Sequence, residues 1–113
     1  MSAITTHVLD TTRGKPAGGV PVSLEVRSED GNWQPLEKGA TDAEGRANLL
    51  PTESHVARGV YRLSFDTAAY FIALNVEGFY PEVRVVFEVR DPSQHYHVPL
   101  LLSRFGYSTY RGS

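Results

Sequence analysis

Two histidines near the end of the chain, His95 and His97, have a spacing that could do chemistry. They stand two residues apart in the run HYHVPLLL, which places both side chains on one face of an extended strand. Imidazole can exchange a proton near neutral pH, and it is also a common metal ligand. The pair therefore predicts either a proton-transfer site or part of a metal site, with His7 as a third ligand.

The metal hypothesis lacks further ligands in the sequence. The terminal strands contain no acidic residue, and the chain has no cysteine, which excludes a thiolate site and a disulfide. His95 is equally typical of a solvated residue at the start of a strand, and His55, beside Glu53 in a polar loop, is typical of the surface. No Gly-rich phosphate loop or serine nucleophile motif is present. We expect no metal and no other cofactor.

Two further polar residues lie on predicted strands. His7 shares one face of the segment AITTHVLD with Thr5 and Leu9, and Arg46 follows the turn TDAEGR. Taken alone, each is typical of a solvated or packed surface position. Their types and local spacing do not by themselves assign them a function.

Alternating apolar residues predict the elements that must position these side chains. In the segment 20–27, Val20, Val22, Leu24 and Val26 share a face, and the segments 59–65 and 82–90 alternate in the same way. Asp66 or Thr67 can cap one short helix over residues 68–74. Counting gives eight short strands and one helix, which predicts an all-β sandwich with Greek-key connections.

The predicted strand 95–102 is apolar on both faces from Val98 onward, and the tail YSTYRGS is β-prone up to Ser113. A strand that is apolar on both sides must be covered on both sides, and a terminal edge strand must be covered or paired. Closed dihedral symmetry is a common solution. The sequence therefore predicts a homotetramer built as a dimer of dimers.

Composition narrows the classes of partner. With 113 residues, of which 41% are hydrophobic, the chain can bury one core, and we expect a single domain over residues 1–113. A net charge of -2 and the lack of a basic cluster argue against nucleic acid. No run of eighteen apolar residues and no leader pattern occurs, which predicts a cytoplasmic protein without a membrane partner.

The tail HYHVPLLLSRFGYSTYRGS also carries a family likeness. It resembles the C-terminal signature of the 5-hydroxyisourate hydrolases, the enzyme branch of the transthyretin-like family, which end in Tyr-Arg-Gly-Ser. The segments THVLDTTRGKPA, GRANLL, TAAYFIAL and FYPEV fit the same family in order. The resemblance implies a transthyretin-like sandwich of two four-stranded sheets with one short helix. One sheet would place the fourth, first, seventh and eighth strands side by side, and these carry Arg46, His7, His97 and Tyr110.

The resemblance further implies an activity and a set of site residues. The substrate would be 5-hydroxyisourate, a product of urate oxidation whose ring is opened by water in a channel between dimers. His97, helped or replaced by His7, would be the general base, and Arg46 would polarise the substrate carbonyls. Tyr110 would hydrogen-bond the ring, and Ser113 or its carboxylate would close the pocket.

The same fold serves a second branch, the thyroid-hormone carrier transthyretin. A small-ligand carrier without catalysis is therefore the alternative function. The carrier branch lacks the two histidines, the arginine and the Tyr-Arg-Gly-Ser ending, all of which this chain has. One departure from the hydrolase pattern is Arg104, where that branch usually has proline before the aromatic residue.

Overall fold

The computed structural model describes residues 2–51 and 56–113, so Glu53 and His55 lie outside the described residues. Within the described ranges no helix is long and apolar enough to cross a membrane. In chain order the elements are β1 (Ser2–Asp10), β2 (Lys15–Pro16), β3 (Pro21–Arg27), β4 (Trp33–Ala40), β5 (Arg46–Pro51), β6 (Gly59–Phe65), α1 (Thr67–Ala73), β7 (Val83–Val89), β8 (Tyr96–His97), β9 (Leu100–Leu102) and β10 (Tyr107–Thr109).

The first sheet is antiparallel, with the strand order β4-β3-β6-β7. Its inward face follows the alternation in the sequence, since Leu24 on β3 and Leu63 on β6 are fully buried and lie opposite each other in register. Strand β4 at the edge is mostly exposed, and it carries a proline and charged residues, which discourage pairing with another chain. This sheet is the back layer of the sandwich.

The second sheet is organised around β1. Strand β1 pairs antiparallel with β5 on one side and parallel with β8 and β9 on the other, and β10 pairs with β9 at the far edge. This is the neighbour order expected from the resemblance, and the transthyretin-like sandwich is confirmed. The residues that could do chemistry lie on different strands of this one sheet: His7 on β1, Arg46 on β5 and His97 on β8.

Two details of this sheet differ from the expectation of four strands. The predicted strand 95–102 is divided into β8 and β9 because Pro99 has no N–H to donate to the ladder, although the Val98 N–H still bonds the Thr5 carbonyl at 2.9 Å. The segment Lys15–Pro16, which was not among the predicted strands, turns back and pairs with Leu9 and Asp10 as β2. The sheet therefore has six segments.

The core lies between the two sheets. It includes Ile4 and Val8 from β1, Leu63 and Phe65 from β6, and Leu100 from β9, all of which are almost fully buried. Burying a side chain of this size contributes roughly 1.5–3 kcal/mol. Because Ile4 and Val8 point inward, the alternation of β1 sends Thr5 and His7 to the outer face.

The single helix α1 covers one side of the sandwich. It begins one residue earlier than predicted, and the Asp66 carboxylate caps it by accepting the Ala69 N–H at 3.0 Å. Its buried face includes Tyr70, whose hydroxyl donates to the buried Asp10 carboxylate at 2.7 Å. The helix therefore ties the end of β1 in place, away from the outer face.

Candidate active site

The outer face of the second sheet brings together polar residues from three strands. His7 is in register with Arg46 on β5, and Thr5 is in register with Asn48 on β5 and with His97 on β8. Neighbouring strands lie about 4.8 Å apart, so in-register side chains on one face are close neighbours. The register creates two adjoining polar rows, one with Asn48, Thr5 and His97 and the other with Arg46 and His7.

A tight turn before β5 fixes the position of Arg46. The Asp42 carboxylate accepts the backbone N–H of both Glu44 and Arg46 at 2.9 Å, and the bond from Arg46 is the largest cause that lowers the pKa of Asp42. Gly45 has a φ of 79°, and a Cβ there would stand 2.3 Å from the Val8 carbonyl. Only glycine can lie this close to β1. The turn can therefore approach β1 and place Arg46 beside His7.

A threonine hydroxyl links the two histidines of the tail. The Thr5 Oγ1 lies 2.7 Å from His97 Nδ1 and 3.1 Å from His95 Nε2. The two imidazole rings are nearly parallel, with centroids 6.2 Å apart and planes at 15°. Thr5 therefore holds the His97 ring through Nδ1 and leaves its Nε2 for other contacts.

The surroundings of His97 favour its neutral form. Burial is the largest cause that lowers the pKa of His97, followed by the positive charges of His95, His7 and Arg46. A lowered pKa means that the ring is unprotonated at neutral pH. His97 is thus in the state that can accept a proton.

His7 is held differently. Its Nε2 N–H donates to the Glu44 carbonyl at 2.9 Å, which ties the ring to the turn that positions Arg46. With Nε2 bonded to the Glu44 carbonyl, only Nδ1 of His7 is left to contact a ligand. It lies beside Arg46 in the sheet but is not among the residues that line the cleft beside His97.

That cleft has a volume of about 350 Å³, within the range of small-molecule sites. Its walls bring together predicted and unpredicted residues: Thr5, Thr6, Arg46, Asn48, His95, His97 and Ser113. Arg46, His97 and Ser113 are among the site residues predicted from the sequence. Thr5 and Asn48 are not, although the two-residue period of a strand could have found them, since they stand two positions from His7 and Arg46.

Tyr110 lies apart from this cleft. It lines a separate cavity of about 250 Å³ with Val85, Phe87 and Tyr96, and its side chain is 56% exposed. Strand β10 ends at Thr109, and the tail continues in the same antiparallel register, so that Gly112 lies opposite His97. The expectation that Tyr110 neighbours the three central residues is not met within one chain, and its substrate contact stays a prediction.

The tail instead places Gly112 against the His97 ring. The Gly112 N–H donates to the His97 carbonyl at 2.8 Å, and a Cβ at this position would stand 2.5 Å from His97 Cδ2 and 3.3 Å from Pro99 Cγ. A side chain here would have to displace the ring or the tail.

We therefore expect Gly112→Ala to lower kcat/KM by roughly tenfold, because a small displacement of a reacting group costs this much or more. Steady-state kinetics with 5-hydroxyisourate, the substrate proposed below, checks this. Gly39→Ala, at an exposed position of β4 in the other sheet where a Cβ would meet nothing within 4 Å, is the matched control and should keep the parent rate. An unaltered kcat/KM in Gly112→Ala would show that the ring tolerates the shift.

Metal-ligand geometry is absent from the part of the chain described. No group of three or more His, Cys, Asp or Glu side chains there could hold a metal ion. The Thr5 hydroxyl stands between His95 and His97, and His7 is bonded to the Glu44 carbonyl. The three histidines suggested as a metal site do not converge.

Arg104, the departure from the hydrolase pattern, makes hydrogen bonds away from the cleft. Its Nε donates to the Glu77 carbonyl at 2.7 Å, and its carbonyl accepts the Phe79 N–H at 2.7 Å. These bonds join the loop before β10 to the segment after α1. The Arg104 side chain is not part of the cleft lining.

Comparison with known proteins identifies the class to which this fold and face belong. The model of the HIUase/Transthyretin family matches residues 4–112, and the chain belongs to this family. A 5-hydroxyisourate hydrolase of Salmonella dublin is 47% identical over 110 residues, which cover 97% of this chain and 80% of the relative. The resemblance to these hydrolases expected from the sequence is confirmed.

Two solved structures agree with the fold. The 5-hydroxyisourate hydrolase of Klebsiella pneumoniae matches with a TM-score of 0.86 and 34% identity over the whole of both chains. The transthyretin of Sparus aurata matches with a TM-score of 0.92 and 35% identity over 99% of this chain and 97% of the other. Hydrolase and transthyretin thus share this sandwich, and the fold alone does not separate the two functions.

Proposed function

We propose that this chain, as a single domain, is a hydrolase that opens the ring of 5-hydroxyisourate with water in the degradation of urate. The observation that carries the proposal is one cleft wall with both His97 and the cation of Arg46, in a chain 47% identical to a 5-hydroxyisourate hydrolase. A base and a fixed cation are the two groups that hydrolysis of a cyclic amide requires.

His97 acts as the general base. Its Nδ1 is engaged by Thr5, so Nε2 takes the proton from a water molecule as that water attacks a ring carbonyl carbon. His7 is less suited to this step, because its Nε2 is bonded to the Glu44 carbonyl and its ring is outside the cleft lining. His7 contributes instead to substrate binding through Arg46, which it adjoins in the sheet.

Arg46 stabilises the oxyanion that forms at the attacked carbonyl. Among the described residues its guanidinium has no carboxylate within ion-pair distance, so its donors are available to the substrate. A guanidinium presents parallel N–H donors that match the carbonyl and urea edges of the substrate. Asn48, which adjoins it in the cleft, can donate and accept hydrogen bonds at the same edge, and Ser113 lies at the rim.

A ligand carrier is the second candidate, because the Sparus aurata transthyretin has the same fold with a TM-score of 0.92. The two candidates differ in what happens to the ligand. Freshly generated 5-hydroxyisourate should lose its ultraviolet absorbance faster with the protein than without it, and full activity should persist in excess chelator. Binding of 5-hydroxyisourate without faster loss would favour the carrier, and inactivation reversed by one metal would overturn the acid-base mechanism.

The lowered pKa of His97 predicts the pH dependence. A base works only when neutral, so kcat/KM should rise with pH through the pKa of the free enzyme and then level off. Because burial and the charges of His95, His7 and Arg46 lower the pKa of His97 from its ordinary 6.5, the rise should be centred below pH 6.5. A pH-rate profile with the rise centred above 6.5 would contradict this assignment.

We further propose a homotetramer built as a dimer of dimers. The outer face of β9 is covered only in part within one chain, since Leu101 stays half-buried. Outside β9, Phe79 and Phe105 are 68% and 61% exposed. Strands β7 and β10 are the edges of their sheets, which a second copy could cover. Light scattering should give the mass of four chains of 12.5 kDa each, whereas a single-chain mass at micromolar concentration would contradict the proposal.

The cytoplasmic location expected from the sequence stays a prediction. Cell fractionation with an antibody against this chain would test it. Recovery with cytoplasmic marker enzymes is the expected result, and recovery with secreted or membrane fractions would contradict it.

A further inference from the structure

The hydroxyl of Thr5 stands between two imidazole nitrogens, and its contact with the His95 nitrogen has no role in the mechanism above. It lies 2.7 Å from His97 Nδ1 and 3.1 Å from His95 Nε2. A hydroxyl has one hydrogen to donate and two lone pairs. It can therefore donate to one ring while it accepts an N–H from the other, and each choice fixes a different tautomer of His97.

The two choices have opposite chemical results. If Thr5 donates to His97 Nδ1, the proton of the neutral ring sits on Nε2, and the ring cannot accept one from water. If Thr5 accepts from His97 Nδ1–H and donates to His95, then His97 Nε2 carries a lone pair. The tautomer of a histidine is set by the hydrogen bond at its other nitrogen. The Arg46 cation on the same cleft wall favours a lone pair over an N–H facing the cleft.

We propose that Thr5 is a positioning residue that holds His97 as the Nδ1–H tautomer and relays to His95 the proton that His97 takes up. The tautomer part stands on the geometry of Thr5, His95 and His97 and on the charge of Arg46 in the same cleft. The relay part rests on the proposed function, since it needs the hydrolytic step to supply the proton.

The addition step moves protons along the path from water through His97 and Thr5 to His95. Water gives a proton to His97 Nε2 as its oxygen bonds to the ring carbonyl carbon, and the carbonyl oxygen becomes an oxyanion. The Nδ1 proton of His97 moves to Thr5 Oγ1 as the hydroxyl proton of Thr5 moves to His95 Nε2. His97 ends neutral with its proton on Nε2, and His95 carries the positive charge. When the carbon–nitrogen bond breaks and the oxyanion reforms a carbonyl, His97 gives the Nε2 proton to the leaving nitrogen. The proton on His95 Nε2 then returns to Thr5 Oγ1 as the Thr5 hydroxyl proton returns to His97 Nδ1.

The relay also agrees with the charges around His97. The titratable and charged groups that influence it are His95 from its own strand region, His7 from β1 and Arg46 from β5. A positive charge left on His97 would be half-buried among these groups. Passing the proton to His95 moves that charge one side chain away from the attacked carbon while His97 keeps a proton ready for the leaving nitrogen.

Two substitutions test the role of the hydroxyl. Thr5→Val keeps the shape and removes the hydroxyl, and we expect kcat to fall roughly 10- to 100-fold, part of the about 10²- to 10⁴-fold that a general base supplies. Thr5→Ser keeps the hydroxyl and should recover most of the rate. Thr12→Val, in the exposed loop after β1, is the matched control and should leave kcat unchanged. A parent-like kcat in folded Thr5→Val would overturn the proposal.

Nitrogen-15 NMR of the histidine rings gives a readout that does not depend on turnover. In the substrate-free protein above the pKa of His97, Nδ1 should be protonated and Nε2 unprotonated, and Thr5→Val should shift the ring toward the Nε2–H form. An Nε2–H form in the unaltered protein would overturn the tautomer assignment. His95→Phe removes the relay's acceptor and should also lower kcat roughly tenfold, and an unchanged kcat there would overturn the relay.

The failure of this inference and the failure of the proposed function can be told apart. A protein that shows Nδ1–H on His97 but does not accelerate loss of 5-hydroxyisourate would refute the function and retain the tautomer assignment. A protein that accelerates the loss but shows Nε2–H would retain the function and refute the assignment.

Discussion

Replacing His97 with asparagine is expected to lower kcat by about 10²- to 10⁴-fold, the contribution of a placed general base, with little change in KM. Asparagine is close to imidazole in size and polarity at Nδ1, so it can still contact Thr5, but it cannot take a proton from water. Steady-state kinetics and a thermal-unfolding midpoint close to the parent would show that the loss is chemical.

His7→Asn is the matched histidine variant for this prediction. We expect it to raise KM more than it lowers kcat, because His7 is tied to the Glu44 carbonyl and adjoins Arg46 in the sheet. The opposite ranking, with kcat lost in His7→Asn and retained in His97→Asn, would move the base to His7 and contradict the assignment made here.

Replacing Arg46 with alanine is expected to lower kcat/KM by about 10²- to 10³-fold, the loss typical for one oxyanion donor. Both parameters should worsen, because the guanidinium binds the substrate edge and stabilises the charge that develops on the carbonyl oxygen. Arg46→Lys keeps the charge but loses the planar fork, so an intermediate loss is expected. The measurement is steady-state kinetics across the three proteins.

Arg27→Ala is the control for the arginine series. Arg27 is an exposed residue at the end of β3 in the other sheet, and its removal should leave kcat/KM unchanged. A rise in KM alone for Arg46→Ala, with kcat retained, would mean that Arg46 binds the substrate equally in the ground and transition states and has no part in the chemical step.

Local patterns in the sequence predicted much of the fold. The alternation over 20–27 and 59–65 predicted strands whose inward residues, such as Leu24 and Leu63, are fully buried. The helix prediction was confirmed to within one residue, because Asp66 is a good cap and three residues of the helix are alanine, the best helix former. These features depend on neighbours in sequence, which a single chain displays directly.

The candidate site depends on contacts between distant residues. His7, Arg46 and His97 could be placed side by side only through the family resemblance, since their register is set by strand pairing across most of the chain. The hydroxyl of Thr5 between two histidines was missed because it depends on that register to within one residue. Within one chain Tyr110 lines a separate cavity with Val85 and Tyr96, and its contact with the substrate stays a prediction.

The most direct test of the account compares three rates of ultraviolet absorbance loss from freshly generated 5-hydroxyisourate. The samples are buffer alone, the unaltered protein and the double variant with His97→Asn and Arg46→Ala, at equal protein concentration and with chelator present. We expect rapid loss of absorbance with the unaltered protein. With the double variant, the rate should be close to that of buffer. Equal rates for the unaltered protein and buffer would contradict the proposed function, and an active double variant would contradict the proposed site.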